Sequence, residues 1–183
     1  MSKIKMYAVI SIDGYTAQVN GNIDFISKYM KKYDYGFKDF LRTIDCVLLS
    51  HRYYAMIQSY NYGWRYENLS CYVISKYFFD FPPKRDIRII LDDKKLSRSY
   101  MDQVREIISY GGGDIWLAGD HELIAGFLEQ ELIDEFTLII VPVTLGHGFP
   151  LSMGNAKENY WELSEQQTYP NGIIRLNYQR KNQ

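Results

Sequence analysis

The chain has 183 residues, enough for one domain that buries about two thirds of its unfolded surface in a core. Hydrophobic residues make up 46% and charged residues 23%, and 21 basic against 22 acidic side chains leave a net charge of −1, which excludes nucleic-acid recognition through a basic footprint. No apolar run approaches the roughly 20 residues that span a bilayer, and the chain opens on a strand pattern rather than a signal peptide. Cys46 and Cys71 sit inside apolar runs and lack metal-ligand spacing with the three histidines. These features predict a cytoplasmic protein with buried, reduced thiols, no metal, no membrane segment and no nucleic-acid partner.

The first predicted strand runs from Ile4 to Ile12, an apolar run typical of a strand covered on both faces. Asp13-Gly14 ends it, and an Asn/Gly-rich loop follows. Helical spacing covers Phe25 to Tyr33 and Phe37 to Thr43, with Gly36 as the breaker. Cys46 to Ser50 is a second buried strand, followed by a helical segment from Tyr53 to Ser59. Asn61 to Asn68 is an aromatic loop, and Cys71 to Ser75 and Ile87 to Leu91 are the next strands, with Pro82-Pro83 between them. Leu96 to Tyr110 is an amphipathic helix with Met101, Val104, Ile107 and Ile108 on one side. It stops at Gly111-Gly112-Gly113.

From Asp114 the pattern is strand (Ile115 to Leu117), turn (Ala118-Gly119-Asp120), a helix of about ten residues, and strand (Phe136 to Val143). A strand passing through a glycine turn into a helix presents unpaired backbone N–H groups at the positive end of the helix dipole, which suits a phosphate. Two terminal strands, Glu158 to Tyr169 and Ile173 to Gln179, flank the hairpin turn Tyr169-Pro170-Asn171-Gly172. The alternation predicts a single α/β domain over 1–183. It is a three-layer α-β-α sandwich whose mostly parallel sheet carries an antiparallel C-terminal hairpin.

WLAGDHELI followed by LIDEFTLIIVPVTLGHGFPL resembles the C-terminal signature of the dihydrofolate reductase-like superfamily, in its bacterial branch related to the reductase domain of riboflavin biosynthesis. The resemblance implies NADPH as cofactor and hydride transfer to a small planar heterocycle. It places the cofactor pyrophosphate at Gly119, Asp120, His121, Glu122 and Leu123. There the family has successive glycines, often joined by a cis bond, and Asp120 and His121 depart from that pattern. Asp120 serves equally as a helix N-cap. Ser50-His51-Arg52-Tyr53-Tyr54 resembles the family's G-R-x-T-Y turn, so Ser50, His51, Arg52 and Tyr53 are implied phosphate ligands. A guanidinium at Arg52 suits bidentate contact, whereas a helix start with solvated basic residues is the blander account.

Ser75-Lys76 matches a position flanking the adenosine phosphate. Ala8, Val9, Thr16 and Ala17 match positions near the nicotinamide. On the substrate side, Ser11-Ile12-Asp13-Gly14 resembles the family's S-L-D-G segment and Asp24-Phe25-Ile26 its I-D-W-L. Asp24, Phe25, Tyr54 and Trp64 are therefore candidate substrate contacts, with Asp34 and Asp39 as other candidates for an acidic residue. No catalytic residue is assigned. Ala118 replaces a glutamate of the riboflavin-pathway reductases, the A-D-D-P segment is missing, and so is the folate reductases' Trp-Pro loop. The expected substrate is thus neither folate nor the riboflavin-pathway pyrimidine. Two alternatives remain: a non-catalytic relative that binds a nucleotide or heterocycle, and a homodimeric sensor or scaffold joined through Tyr160, Trp161, Leu163, Ile173, Ile174 and Leu176.

Overall fold

The computed structural model describes residues 2–59, 68–80, 86–92, 99–154 and 157–181. Trp64, most of the aromatic loop expected over Asn61 to Asn68, Pro82-Pro83 and the expected helix start at Leu96 lie outside the described residues. The chain forms two compact units, one of Met1–Ile4 with Arg42–Asp120 and one of Lys5–Leu41 with His121–Gln183.

In the first unit, β3 (Ile44–Ser50), β4 (Ser70–Ser75), β5 (Ile87–Leu91) and β6 (Asp114–Ala118) follow β1 (Ile4–Ser11) and β2 (Tyr15–Ala17) in the chain. Their order in the sheet is β5-β4-β3-β6, and each neighbouring pair is parallel. Val47, Leu48, Leu49, Val73, Ile115 and Leu117 are essentially sealed from solvent. They supply the continuous apolar runs that a strand buried on both faces requires. Cys46 and Cys71 are free and buried, and burial pushes both thiols up to about 12, so neither is a thiolate at neutral pH.

Among the described residues, two helices lie in this unit. α3 (His51–Ser59) starts two residues earlier than its spacing predicts, because Ser50 caps it. α4 (Tyr100–Ser109) starts where Ser99 and Asp102 form a reciprocal capping box, each side chain holding the other's backbone N–H at 3.2 Å.

The second unit has the strand order β1-β7-β10-β9, with β7 at Glu135–Val141, β9 at Trp161–Thr168 and β10 at Ile174–Arg180. β1 and β7 are parallel, whereas β10 runs antiparallel to both β7 and β9. The expected α/β class, mostly parallel pairing and antiparallel terminal hairpin are all present. A small second sheet, absent from the sequence reading, pairs β2 with β8 (Phe149–Pro150). α5 (His121–Glu129) buries Leu123, Ile124 and Phe127.

The helix expected over 25–33 is cut to α1 (Asp24–Ser27), followed separately by α2 (Phe37–Arg42). Beyond α1 the chain turns so that Tyr35 is buried. Its hydroxyl donates to the Tyr29 carbonyl at 2.5 Å, the acceptor that the Tyr33 amide would use in a continuing helix. Tyr35 is 1% exposed, adopts φ +53°, and forms a buried cluster with Ile139 and Ile173. Ile173 is therefore core and no surface for a second subunit, while Leu163 and Ile174 on the hairpin are exposed.

Candidate functional site

Parallel register sets the carboxyl ends of three strands side by side in the first unit: Leu49 pairs with Ala118 and Ser50 with Ile74. Ligands of open α/β sheets bind at that edge. Gathered there are Ser50 and the start of α3, Ser75-Lys76 after β4, and Gly119-Asp120 after β6. Ser50 is buried, and its Oγ accepts from the Tyr53 amide at 3.1 Å and from the Asp120 amide at 3.4 Å. One hydroxyl thus ties the β3–α3 turn to the β6 turn.

His51 is half-buried. Its Nδ1 shares a hydrogen bond with the Tyr77 hydroxyl at 3.1 Å, and its ring lies 4.9 Å from Tyr77 and 4.6 Å from Phe79. Arg52 is exposed in the first turn of α3, which holds no acidic residue. Tyr53 is half-buried, and Tyr54 is buried with its ring 5.4 Å from Phe79. Ser75 is buried too, but its hydroxyl donates to the Tyr77 carbonyl at 2.8 Å and accepts from the Tyr77 amide, which folds the chain back after β4. Lys76 beside it is exposed. The Gly119–Asp120 bond is trans, unlike the cis bond that the resemblance associates with this turn. Sequence reasoning missed Tyr77 and Phe79; the aromatic run after Ser75-Lys76 was their only signal.

In the second unit, Ala8 and Val9 are half-buried in β1, opposite Leu138 and Ile139 of β7. Val9 packs on the Tyr35 cluster. Thr16 and Ala17 lie in β2 and are tied to the Gly/Pro loop: the Thr16 hydroxyl donates to the Phe149 carbonyl at 3.1 Å, and Ala17 pairs with Phe149. His121 is 7% exposed and stacks on the Phe149 ring at 5.5 Å. Leu123 is buried, and Glu122 puts a carboxylate in the first turn of α5. Asp24 stands in the first turn of α1, where Ile23 is the cap residue. It is exposed and bonded to Asn22, and Phe25 beside it is half-buried. Asp34 accepts from the Gly36 and Lys38 amides; burial works against ionisation, yet these bonds and the Lys38 ammonium hold its pKa below the ordinary value. Asp39 is exposed on α2.

The least expected feature is Asp13. Its carboxylate receives the Ser11 hydroxyl at 2.6 Å and the Gly146 and Leu145 amides at 2.7 and 3.1 Å. The Ser11 bond, with the two amides and against desolvation, brings its pKa down to about 2. The Ser11-Ile12-Asp13-Gly14 segment and the Leu145-Gly146 turn therefore hold each other. Gly148 completes the arrangement, since a Cβ there would overlap the Ala17 carbonyl oxygen. Among the described residues no helix is long and apolar enough to cross a membrane, and no group of three His, Cys, Asp or Glu side chains could hold a metal ion.

The fold is shared with solved structures. A putative riboflavin biosynthesis protein from Shewanella sp. PV-4 superposes with TM-score 0.83 at 21% identity, covering 98% of this chain and 99% of that one. A pyrimidine reductase-like protein from Corynebacterium diphtheriae gives 0.68 at 15%, covering 100% and 93%. The Thermotoga maritima diaminohydroxyphosphoribosylaminopyrimidine deaminase/5-amino-6-(5-phosphoribosylamino)uracil reductase gives 0.70 at 10%, this chain spanning 57% of its length. In sequence, the chain is 30% identical over 149 residues to YwjB of Bacillus subtilis (strain 168), covering 81% of this chain and 82% of YwjB. It is 26% identical over 188 aligned residues to YyaP of the same organism, covering 96% and 94%. The family model of the RibD C-terminal domain matches residues 2–175, and with the dihydrofolate reductase-like fold shared by these structures, the chain belongs to the RibD C-terminal domain family.

Proposed function

We propose that this chain is an NADPH-dependent oxidoreductase acting on a small planar heterocycle of pterin or pyrimidine type, outside folate reduction and the riboflavin-pathway reduction. One observation supports this above the rest. At the carboxyl edge of β3, β4 and β6, a capped helix N-terminus without a first-turn acid stands beside Arg52, Lys76 and a buried serine hydroxyl. Those are the parts that hold a phosphorylated nucleotide, and they fit the cofactor that the family resemblance implies. In the second unit, Ala8 and Val9 offer half-buried apolar surface of the kind a nicotinamide ring packs on. When bound, the reduced cofactor supplies the hydride. The protein's own part is to orient the two rings and exclude water, with Thr16 and Ala17 held in place by Phe149.

The substrate assignment follows from what is missing. Ala118, 5% exposed, stands where the riboflavin-pathway reductases carry a glutamate, so that carboxylate is unavailable to their pyrimidine. A non-catalytic nucleotide-binding relative is the second reading. It is favoured by Asp120 and Glu122 around the start of α5 and by the inward commitment of the Ser75 hydroxyl.

Calorimetric titration with NADPH, NADH and NADP⁺ tests the proposal. Micromolar NADPH binding that weakens in salt and in Arg52→Ala is expected, followed by NADPH oxidation with pterins or pyrimidines. Absence of heat at millimolar dinucleotide would overturn the cofactor assignment. Binding without turnover on any heterocycle would favour the second reading.

A further inference from the structure

β5 stands at one end of the strand order of the first unit, so one of its long edges meets β4 and the other meets no strand among the described residues. The ladder fixes which backbone groups face outward. The Cys71 amide donates to the Asp86 carbonyl and the Asp92 amide donates to the Ser75 carbonyl, so residues 86, 88, 90 and 92 direct their backbone groups at β4. The amides and carbonyls of Ile87, Ile89 and Leu91 point the other way, and among the described residues they meet no partner. An edge in this state is a template for a further strand unless charge, proline or a bulge blunts it. β5 reads Ile-Arg-Ile-Ile-Leu, with one charge, no proline and an unbroken register against β4.

Beside that edge lies a cavity of about 510 Å³, lined by Phe78, Phe79, Asp80, Ile87, Arg88 and Ile89. One wall is the strand and the other is the segment that leaves β4. Phe79 is packed against the His51 and Tyr54 rings at 4.6 and 5.4 Å, whereas Phe78 is 75% exposed. The two charges of the cavity also differ. Arg88 is engaged, by Asp86 at 3.5 Å and by the Tyr72 hydroxyl, to which it donates at 3.0 Å. Asp80 is exposed and has no ion pair or hydrogen bond among the described residues.

Unpaired main-chain groups beside a side-chain pocket are how a sheet edge takes up an extended peptide: backbone bonds give affinity, and the pocket selects side chains at alternate positions. A second copy of β5 fits this edge less well. Antiparallel pairing about Ile89 would set Ile87 against Leu91, but it would also set Asp86 against Asp92, and like charges directly opposite destabilise a pair. A peptide that carries a cation meets Asp80 instead.

We propose that the open edge of β5 is a docking site for an extended peptide segment of another protein. The segment adds as a strand to the outward groups of Ile87, Ile89 and Leu91, seats apolar side chains in the cavity and sets a Lys or Arg against Asp80.

The test joins amide hydrogen exchange to a ¹H–¹⁵N NMR titration of the full chain. The probe is the capped peptide acetyl-Val-Thr-Val-Thr-Val-Thr-Lys-amide, used together with its reverse sequence so that both strand directions are sampled. In the free chain the Ile87, Ile89 and Leu91 amides should exchange faster than those of Arg88 and Ile90. Saturable shifts and slowed exchange at Ile87, Ile89 and Leu91 are expected with one of the two peptides. Replacing its Lys by Glu should weaken it about tenfold, and Asp80→Asn should weaken the Lys peptide about threefold. Phe78→Ala, a change at an exposed side chain, should weaken it about fivefold. Ile89→Pro removes an outward N–H while leaving the bonds to β4 in place, so it should abolish binding that Ile89→Ala only weakens. Outward amides already protected in the free chain, no saturable shift with either peptide, or equal binding of the Lys and Glu peptides would overturn the proposal. Equal losses in Ile89→Pro and Ile89→Ala would also sink it, because no strand would then have been added. Protection that grows with protein concentration in the absence of peptide would place a second copy on the edge and overturn it as well.

Discussion

The two units treat their family motifs in opposite ways. In the second unit, the Ser-x-Asp-Gly segment and the Leu-Gly-x-Gly-Phe-Pro loop are the best-preserved parts of the resemblance, and they bind each other through Asp13, Gly146 and the contact of Gly148 with Ala17. In the first unit, the turns after β3 and β6 are the most altered parts, and they carry the Ser50 hydroxyl and the exposed Arg52. A well-kept motif can thus be architecture. Specificity of a sequence pattern measures how tightly residues constrain one another, and that constraint need not involve a ligand.

The comparison breaks most visibly at Gly148. Gly148→Ala sets a methyl against a backbone oxygen that cannot rotate away, so a loss of about 3 kcal/mol is expected in denaturant unfolding. Gly113→Ala meets only the Asp45 side chain and should cost less. If the two variants are equally stable, the loop is not held as tightly as the motif argument requires. Next in size is Tyr35→Phe. Its hydroxyl donates to Tyr29 and accepts from the Asn171 amide at 2.6 Å, so about 1–2 kcal/mol should disappear with the oxygen. Ser50→Ala, in the first unit, removes a helix cap and the tie to Asp120, which predicts a loss of about 1 kcal/mol. A larger stability effect at Ser50 than at Tyr35 would invert the contrast between the two units.

Most of the fold was legible because buried parallel strands leave long apolar runs and glycine stops. The runs around Val47 to Leu49, Ile115 to Leu117 and Ile139 to Val141 fall inside strands as read. The helix expected over 25–33 failed because periodicity cannot register a tertiary contact: Tyr35 is buried with Ile139 and Ile173 at φ +53°. The β2–β8 pairing was invisible for a related reason, since three-residue and two-residue strands carry no period. At the site, the order of elements brought Ser50, Ser75 and Gly119 to one sheet edge. What each serine does with its proton could not be read from residue type, because it depends on which acceptor lies within 3 Å or so of the oxygen.

The smallest effect, and the one that most sharpens the contrast, concerns acid. Asp13 is ordinarily 3.8 and is lowered to about 2 in the folded chain, first by the Ser11 hydroxyl and then by the Gly146 and Leu145 amides. A carboxyl whose folded pKa is depressed contributes stability that is fully present above its unfolded value and disappears as pH falls through its folded value. The contribution of Asp13 should therefore be intact above about pH 4 and lost by about pH 2. Asp13→Asn removes this titration while keeping the side chain's size, so its denaturation midpoint should be lower than that of the wild type at neutral pH, and the two should converge on acidification across that window. Because Asp13 is exposed, the difference is modest and is best read as a change in pH slope. Parallel pH profiles for the two proteins would show that the loop is held by backbone pairing alone. Ser50→Ala has no such titration to lose and should track the wild-type slope, so the pH profile separates the ionic brace of the second unit from the neutral one of the first.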